Sequence, residues 1–261
     1  MKLELIEKKP DSIAHKTPIL FVHGMWHGAW CWDEFFLPYL VSRGFHVFAL
    51  SLRGHGKSEG REKLRWNSIN NYVEDVHQVV EQIRDSPVLV GHSMGGFIVQ
   101  KYLEQYSVPS AVLLAPAPAK GVLAATMRVL SKHPLAFLKA NLTLSMYPII
   151  STTALCKEFF FSSEMPDRDI ARYHSQMQDE AYRAYLDMMI LNLPKVSRIK
   201  TRMLVLGGEA DNIISPTEMK STAESYGAEL EMFKGMAHDM MLEKEWQKVA
   251  DRIINWMNNH N

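Results

Sequence analysis

Cysteine is scarce in this chain: Cys31 and Cys156 are the only two among 261 residues. A disulfide framework is thereby excluded as the main source of stability, and free thiols in a reducing cytoplasm are the expectation. Long apolar runs are missing too, with no stretch of about 18 such residues, which excludes a helix crossing a membrane. The first residues, "MKLELIEKKP", alternate charge with apolar side chains and lack the apolar core of a secretory signal, so a charged strand is expected there. Neither sign of charge is in excess, since 29 Lys and Arg balance 29 Asp and Glu at a pI near 7.2. Nucleic acid and anionic membranes are therefore not indicated as partners. No Cys/His cluster has metal-ligand spacing, so no metal is expected. Repeats and low-complexity segments are absent as well.

What is present is apolar mass. Hydrophobic residues make up 47% of the chain, enough for the core of one large domain, or of one domain with an insertion. Short apolar runs alternate with helical patterns. "PILFVHG" (Pro18–Gly24), "HVFAL" (His46–Leu50), "PVLVG", "SAVLLAPA" (Ser110–Ala117) and "RMLVLGGE" (Arg202–Glu209) read as buried strands. "DEFFLPYLVSRG" (Asp33–Gly44) and "SINNYVEDVHQVVEQI" (Ser68–Ile83) read as helices, as do segments starting near Pro216 and near Met240. Continuous apolar strands alternating with helices predict an α/β fold, with a mostly parallel central sheet covered by helices on both faces. Between Pro116 and about Val196 the rhythm breaks. This stretch is rich in Met, Leu, Phe and Tyr, and we read residues 116–196 as a helical cap inserted into a core of 1–115 and 197–261.

"SPVLVGHSMGGFIVQKYL" (Ser86–Leu103) poses the chemical question, because three glycines crowd one serine between a strand and a helix. A serine that presents its Oγ above a sheet must sit on a tight, strained turn, and small residues two before and two after it relieve the crowding. Gly91 and Gly95 hold those positions around Ser93. The helix that follows aims its free N–H groups and positive dipole end at the serine. Gly91-His92-Ser93-Met94-Gly95 therefore reads as a nucleophile elbow, with the Met94 N–H as an oxyanion donor. A serine hydroxyl needs a base, and the base an orienting carboxylate. Asp211, just past "LVLGGEA", and His238, in "FKGMAHDMMLE", follow in the order acid then base. Glu209 and Asp239 are rival acids, read as solvated or capping residues. In "HGMWHGAW", the Met25 N–H is the candidate second oxyanion donor, and Gly24 is expected to keep the loop clear of substrate.

With these motifs in place, the chain resembles the α/β-hydrolase superfamily over essentially its full length. "RGHGKSEG" (Arg53–Gly60) is similar to that superfamily's loop after the fourth strand, and "HGMWHGAWCW" to the branch holding plant methylesterases, hydroxynitrile lyases and bacterial esterases. The resemblance implies a Ser93, Asp211, His238 triad and no cofactor. Plant hydroxynitrile lyases of this type carry threonine and lysine where this chain has Gly24 and Asp239, which disfavours that activity. Haloalkane dehalogenases and epoxide hydrolases need aspartate at Ser93.

The expected activity is that of a serine carboxylesterase on small to medium apolar esters. The same triad also serves thioesterases, acyltransferases, amidases, C–C hydrolases and metal-free haloperoxidases. A ligand receptor that retains a slow triad is the reading from a different class. "GHGKS" lacks the first glycine of a phosphate loop, since Ser51 stands there. His23, His55 and His92 are expected to be structural, with His27 and Trp30 bracing the loop. Trp26 is the candidate substrate-binding residue, and methionines such as Met127, Met146 and Met188 are candidates for an adaptable acyl pocket.

Overall fold

A computed structural model describes residues 1–260 of the chain. Seven strands form one sheet: β1 (Glu4–Lys8), β2 (Ile19–Val22), β3 (Val47–Ser51), β4 (Val88–His92), β5 (Ala111–Leu114), β6 (Met203–Gly208) and β7 (Glu229–Phe233), in the order β1-β3-β2-β4-β5-β6-β7. All neighbouring pairs are parallel except β1, which runs antiparallel to β3 with Glu4 opposite Ser51. Every residue of β2 to β6 is buried, whereas the edge strands β1 and β7 stay partly exposed. Burial on both faces is why the inner strands are written as unbroken apolar runs rather than as alternations.

Between β2 and β3 lie α1 (Trp30–Asp33) and α2 (Phe36–Ser42). A single helix over 33–44 was expected. Pro38 explains the break, since its ring would clash with the carbonyl of Glu34 in a continuous helix. α3 (Ile69–Val80) joins β3 to β4 and opens on a Ser68–Asn71 capping box. α4 (Met94–Tyr102) follows β4 and is buried along its whole length.

Between β5 and β6 the chain is helical: α5 (Leu123–Lys132), α6 (Pro134–Thr143), α7 (Thr153–Phe160), α8 (Asp167–His174) and α9 (Tyr182–Leu186), the last continuing into a π turn over Asp187–Leu191. α10 (Pro216–Tyr226) and α11 (Trp246–His260) flank β7. The last helix begins six residues after the expected Met240. The intervening residues are held in a turn, because the buried Glu243 carboxylate accepts from Ser162 N at 2.6 Å and from its Oγ at 2.8 Å. The "RGHGKSEG" loop follows the third strand rather than the fourth, since only β1 and β2 precede β3 in the chain. Among the described residues, no helix is long and apolar enough to cross a membrane, and no group of His, Cys, Asp and Glu is arranged to hold a metal ion.

The strand order sets the place of chemistry. From β2 the chain steps outward to β3, then returns past β2 to β4 on its other side. The loops leaving the carboxyl ends of β2 and β4 diverge there, opening a crevice at a topological switch point. Those loops are His23–Ala29 and the Ser93 turn.

Candidate active site

Ser93 lies between β4 and α4 at φ 51°, ψ −115°, a conformation that costs a non-glycine residue about 1–3 kcal/mol. Backbone bonds on both sides hold it: its N–H donates to Leu114 O at 3.0 Å, and its carbonyl accepts from Ala117 N at 3.0 Å and Phe97 N at 3.1 Å. Close packing imposes the glycine at the far side of the elbow. A Cβ on Gly95 would stand 2.2 Å from Val22 O and 2.6 Å from His23 O.

The structure brings His238 and Asp211 together although 27 residues separate them. His238 Nδ1 donates to Asp211 Oδ2 at 2.7 Å, with both side chains at most 1% exposed. Asp211 sits at the carboxyl end of β6, and its Oδ1 accepts the N–H groups of Ile213 (2.7 Å) and Ile214 (2.9 Å). The carboxylate is thus oriented from two sides and kept as an acceptor for the imidazole. His238 follows β7. Its carbonyl accepts from His92 Nε2 at 3.0 Å, which fastens the histidine loop to the residue just before Ser93. Burial, then repulsion from His238, brings His92 down to about 3, so it serves as a neutral donor. Glu209, one rival acid, is exposed.

The other rival, Asp239, corrects the expectation of a solvated or capping residue. Its side chain is fully buried, and Oδ2 meets His27 Nε2 at 3.0 Å. Sequence gives little warning of this, because the partner lies 212 positions away. Gly24 has a different reason from the one expected. A Cβ there would press on His92 Nδ1 at 2.8 Å and Ser93 Cβ at 3.0 Å, so the glycine lets the loop approach the elbow itself.

The loop after β2 is clamped at successive peptides. His23, held well below its ordinary pKa by burial and then by neighbouring His55, is neutral. Its Nδ1 donates to Gly24 O at 2.8 Å and its Nε2 accepts from Leu52 N at 3.1 Å. The Gly24 carbonyl is therefore fixed, and with it the direction of the Met25 N–H on the same peptide. Trp26 has φ 66°. Its N–H donates to Glu180 Oε2 at 3.3 Å and its carbonyl accepts from Gln178 N at 3.0 Å. Sequence reasoning missed Glu180. It is 1% exposed and also receives His55 Nε2 (3.0 Å) and Tyr72 OH (2.9 Å), so one carboxylate joins the α8–α9 connection to the loop after β2, the loop after β3 and α3.

Ser93, Met25, Met94 and Trp26 all line one cavity of about 630 Å³ of empty space, its open mouth included. Apart from Ser93, its polar side chains are Thr126 and Tyr185, which bond each other at 3.1 Å. Among the described residues, no charged one lines it. Met146 and Met188 contribute to the wall, Met188 from the π turn after α9. Met127 does not: it is 53% exposed and faces an outer groove, because α5 turns Val122, Ala125 and Val129 inward instead. Trp26 is placed by its indole N–H, which donates to Met146 O at 3.3 Å.

The family model described as serine aminopeptidase, S33, matches residues 14–245. Monoacylglycerol lipase from Mycolicibacterium smegmatis is 25% identical over 232 residues, 83% of this chain and 79% of that protein. Methyl jasmonate esterase 1 from Vitis vinifera is 35% identical over 89 residues, 33% of each chain. Among solved structures, the Paleococcus ferrophilus monoacylglycerol lipase superposes with a TM-score of 0.75 at 25% identity, over 100% of both chains.

Proposed function

The chain belongs to the serine aminopeptidase S33 family of α/β hydrolases, and from that membership we propose that it is a serine carboxylesterase acting on small to medium apolar esters. The observation that carries the reading is the wall around Ser93: an uncharged, largely apolar cavity with a strained serine in its lining, and a buried His–Asp couple whose histidine ring lies 4.8 Å from that of His92, the residue before Ser93. An apolar wall that includes Trp26, Met146, Ile149 and Met188 suits an acyl chain or a compact ring. An aminopeptidase must hold a substrate ammonium, and no carboxylate reaches this lining. The relatives named for lipase and esterase activities point the same way.

In this reading Ser93 attacks the ester carbonyl while His238 takes its proton. Asp211 holds the imidazole with Nδ1–H toward itself, leaving Nε2 as the base, and stabilises the imidazolium that forms. The N–H groups of Met25 and Met94 receive the oxyanion, a contribution of about 10²–10³ in turnover per donor. His238 then gives its proton to the leaving alcohol, and water activated by the same nitrogen cleaves the acyl-enzyme. Residues 116–196 act as the cap that shapes the acyl site, and Trp26 forms part of the wall beside the reacting carbon.

The test is hydrolysis of p-nitrophenyl esters from acetate to palmitate by wild type and Ser93→Ala. Turnover by wild type alone, peaking at short to medium chains, is the expected result. Equal rates for the two proteins across the series would defeat the reading.

A further inference from the structure

One buried ionisable pair next to the site has no part in the mechanism above. His27 and Asp239 are both 0% exposed. His27 Nε2 faces Asp239 Oδ2 at 3.0 Å, and His27 Nδ1 faces Met25 O at 2.7 Å. Both facing atoms are oxygens, one of a carboxylate and one of a backbone carbonyl. A neutral imidazole has a single N–H and can satisfy only one of them. With Asp239 ionised, the two short contacts place a proton on each ring nitrogen, an imidazolium locked against a carboxylate.

The two ends of this pair are the two loops that must cooperate. Met25 belongs to the loop after β2, and its N–H is the proposed oxyanion donor. Asp239 directly follows His238, and its own N–H donates to Phe160 O at 2.9 Å. The Met25–Trp26 peptide is thereby gripped at both polar groups: the carbonyl by His27, and the N–H by Glu180 at 3.3 Å. Trp26 holds a positive φ of 66°, so this peptide has a reason to relax if a grip is lost.

We propose that the His27–Asp239 ion pair is a positioning device for ester cleavage: Asp239 orients the imidazole, and His27 thereby grips the Met25 carbonyl so that the Met25 N–H is held where the oxyanion forms. The inference rests on the esterase reading of the same site.

The surroundings favour the charged pair. His23 at the end of β2 and His92 at the end of β4 are neutral neighbours, and His238 adjoins Asp239 in the chain. Glu180, from the cap, adds negative charge near His27. The thiols of Cys31 on α1 and Cys156 on α7 are pushed up by burial first and by Asp239 second, so they stay protonated. Burial alone would lower His27, but the Asp239 charge and hydrogen bond outweigh it and the net direction is upward. Burial would likewise raise Asp239, and His27 reverses that. The rings of Trp30 (5.4 Å) and Phe160 (5.6 Å) pack against the imidazole. When alkali removes the shared proton, the remaining N–H goes to the carboxylate, the stronger acceptor, and the grip on Met25 is lost.

The experiment compares His27→Asn, His27→Gln and Asp239→Asn with wild type, on p-nitrophenyl butyrate and with an alkyl trifluoromethyl ketone that forms a serine-bound oxyanion. Asparagine carries its N–H near the Nδ1 position and keeps the tie to Met25. Glutamine reaches toward Asp239 and drops that tie. His27→Asn is expected to stay within about threefold of the wild-type kcat. His27→Gln should lose roughly 10- to 100-fold in kcat with KM within about twofold, and its ketone affinity should weaken by a similar factor. Wild type is expected to lose kcat in alkali, and in Asp239→Asn, where a neutral His27 can donate to Met25 while accepting from the amide, that alkaline fall should vanish.

Equal losses in the two His27 variants, or a kcat loss without weaker ketone binding, would overturn the proposal. So would an unchanged alkaline limb in Asp239→Asn, a readout that stands even if His27→Gln does not fold. Failure of the wild type to turn over any ester would remove the esterase reading and this inference together.

Discussion

Replacing Gly95 by alanine adds one methyl group to the most crowded point of the elbow. The new carbon would stand 2.2 Å from Val22 O and 2.6 Å from His23 O. A carbon rests against a carbonyl oxygen at roughly 3.3 Å or more, so the start of α4 and the end of β2 must separate by about 1 Å. Neither partner can yield cheaply. Val22 is fully buried and paired to β3 and β4, and α4 is buried along its whole length. Overpacking of this kind costs about 1–3 kcal/mol. The catalytic cost is larger, because β2 leads into the loop of Met25 and α4 begins with Met94. A 1 Å misplacement of such groups costs about 10²-fold in rate. Steady-state kinetics on a p-nitrophenyl ester, beside urea denaturation, measures both effects. Gly227→Ala is the control: that residue has φ 59° but nothing within 4 Å of the added carbon, so about 1 kcal/mol should be lost and kcat kept. A Gly95→Ala enzyme within threefold of wild type in kcat, with an unchanged urea midpoint, would refute the packing argument.

Two further outcomes are expected. Filling the acyl cavity with Ala125→Phe, at a lining position 6% exposed, should shift the preferred p-nitrophenyl ester toward acetate and leave acetate hydrolysis within a few-fold of wild type; an unchanged chain-length profile would remove Ala125 from the acyl wall. His92 lies near 3 in the folded protein against an ordinary 6.5, so between those values the unfolded chain binds the extra proton and stability falls as the pH falls. At about 1.4 kcal/mol per pH unit, His92 alone should remove roughly 2–3 kcal/mol between pH 6 and pH 4, and His92→Asn should flatten the slope of urea stability against pH by about one proton. Parallel slopes for the two proteins would show that His92 is not the group titrating.

The unbroken strands and the elbow were legible in sequence because each depends on local rules. A strand buried on both faces must be apolar throughout, and a serine on a strained strand-to-helix turn must have small neighbours at fixed offsets. The order of Ser93, Asp211 and His238 along the chain was equally readable, since each follows a strand. Helix boundaries were less so. Pro38 splits one expected helix, and Glu243 delays another by binding Ser162.

The residues that hold the site together were not legible, and the reason is distance along the chain. Asp239 looks like a loop carboxylate until the fold sets His27, 212 positions away, beside it. Glu180 looks like one polar residue in a helical stretch until it meets Trp26, His55 and Tyr72. Sequence alone determined the strands of the sheet and the turn that strains Ser93, because backbone sterics and burial act within a few residues. Only the tertiary structure decided which methionines face the cavity, which acid meets which histidine and where a buried proton is kept. A charge taken out of water is stable only where a partner stands against it, and which partner that is depends on how the whole chain packs.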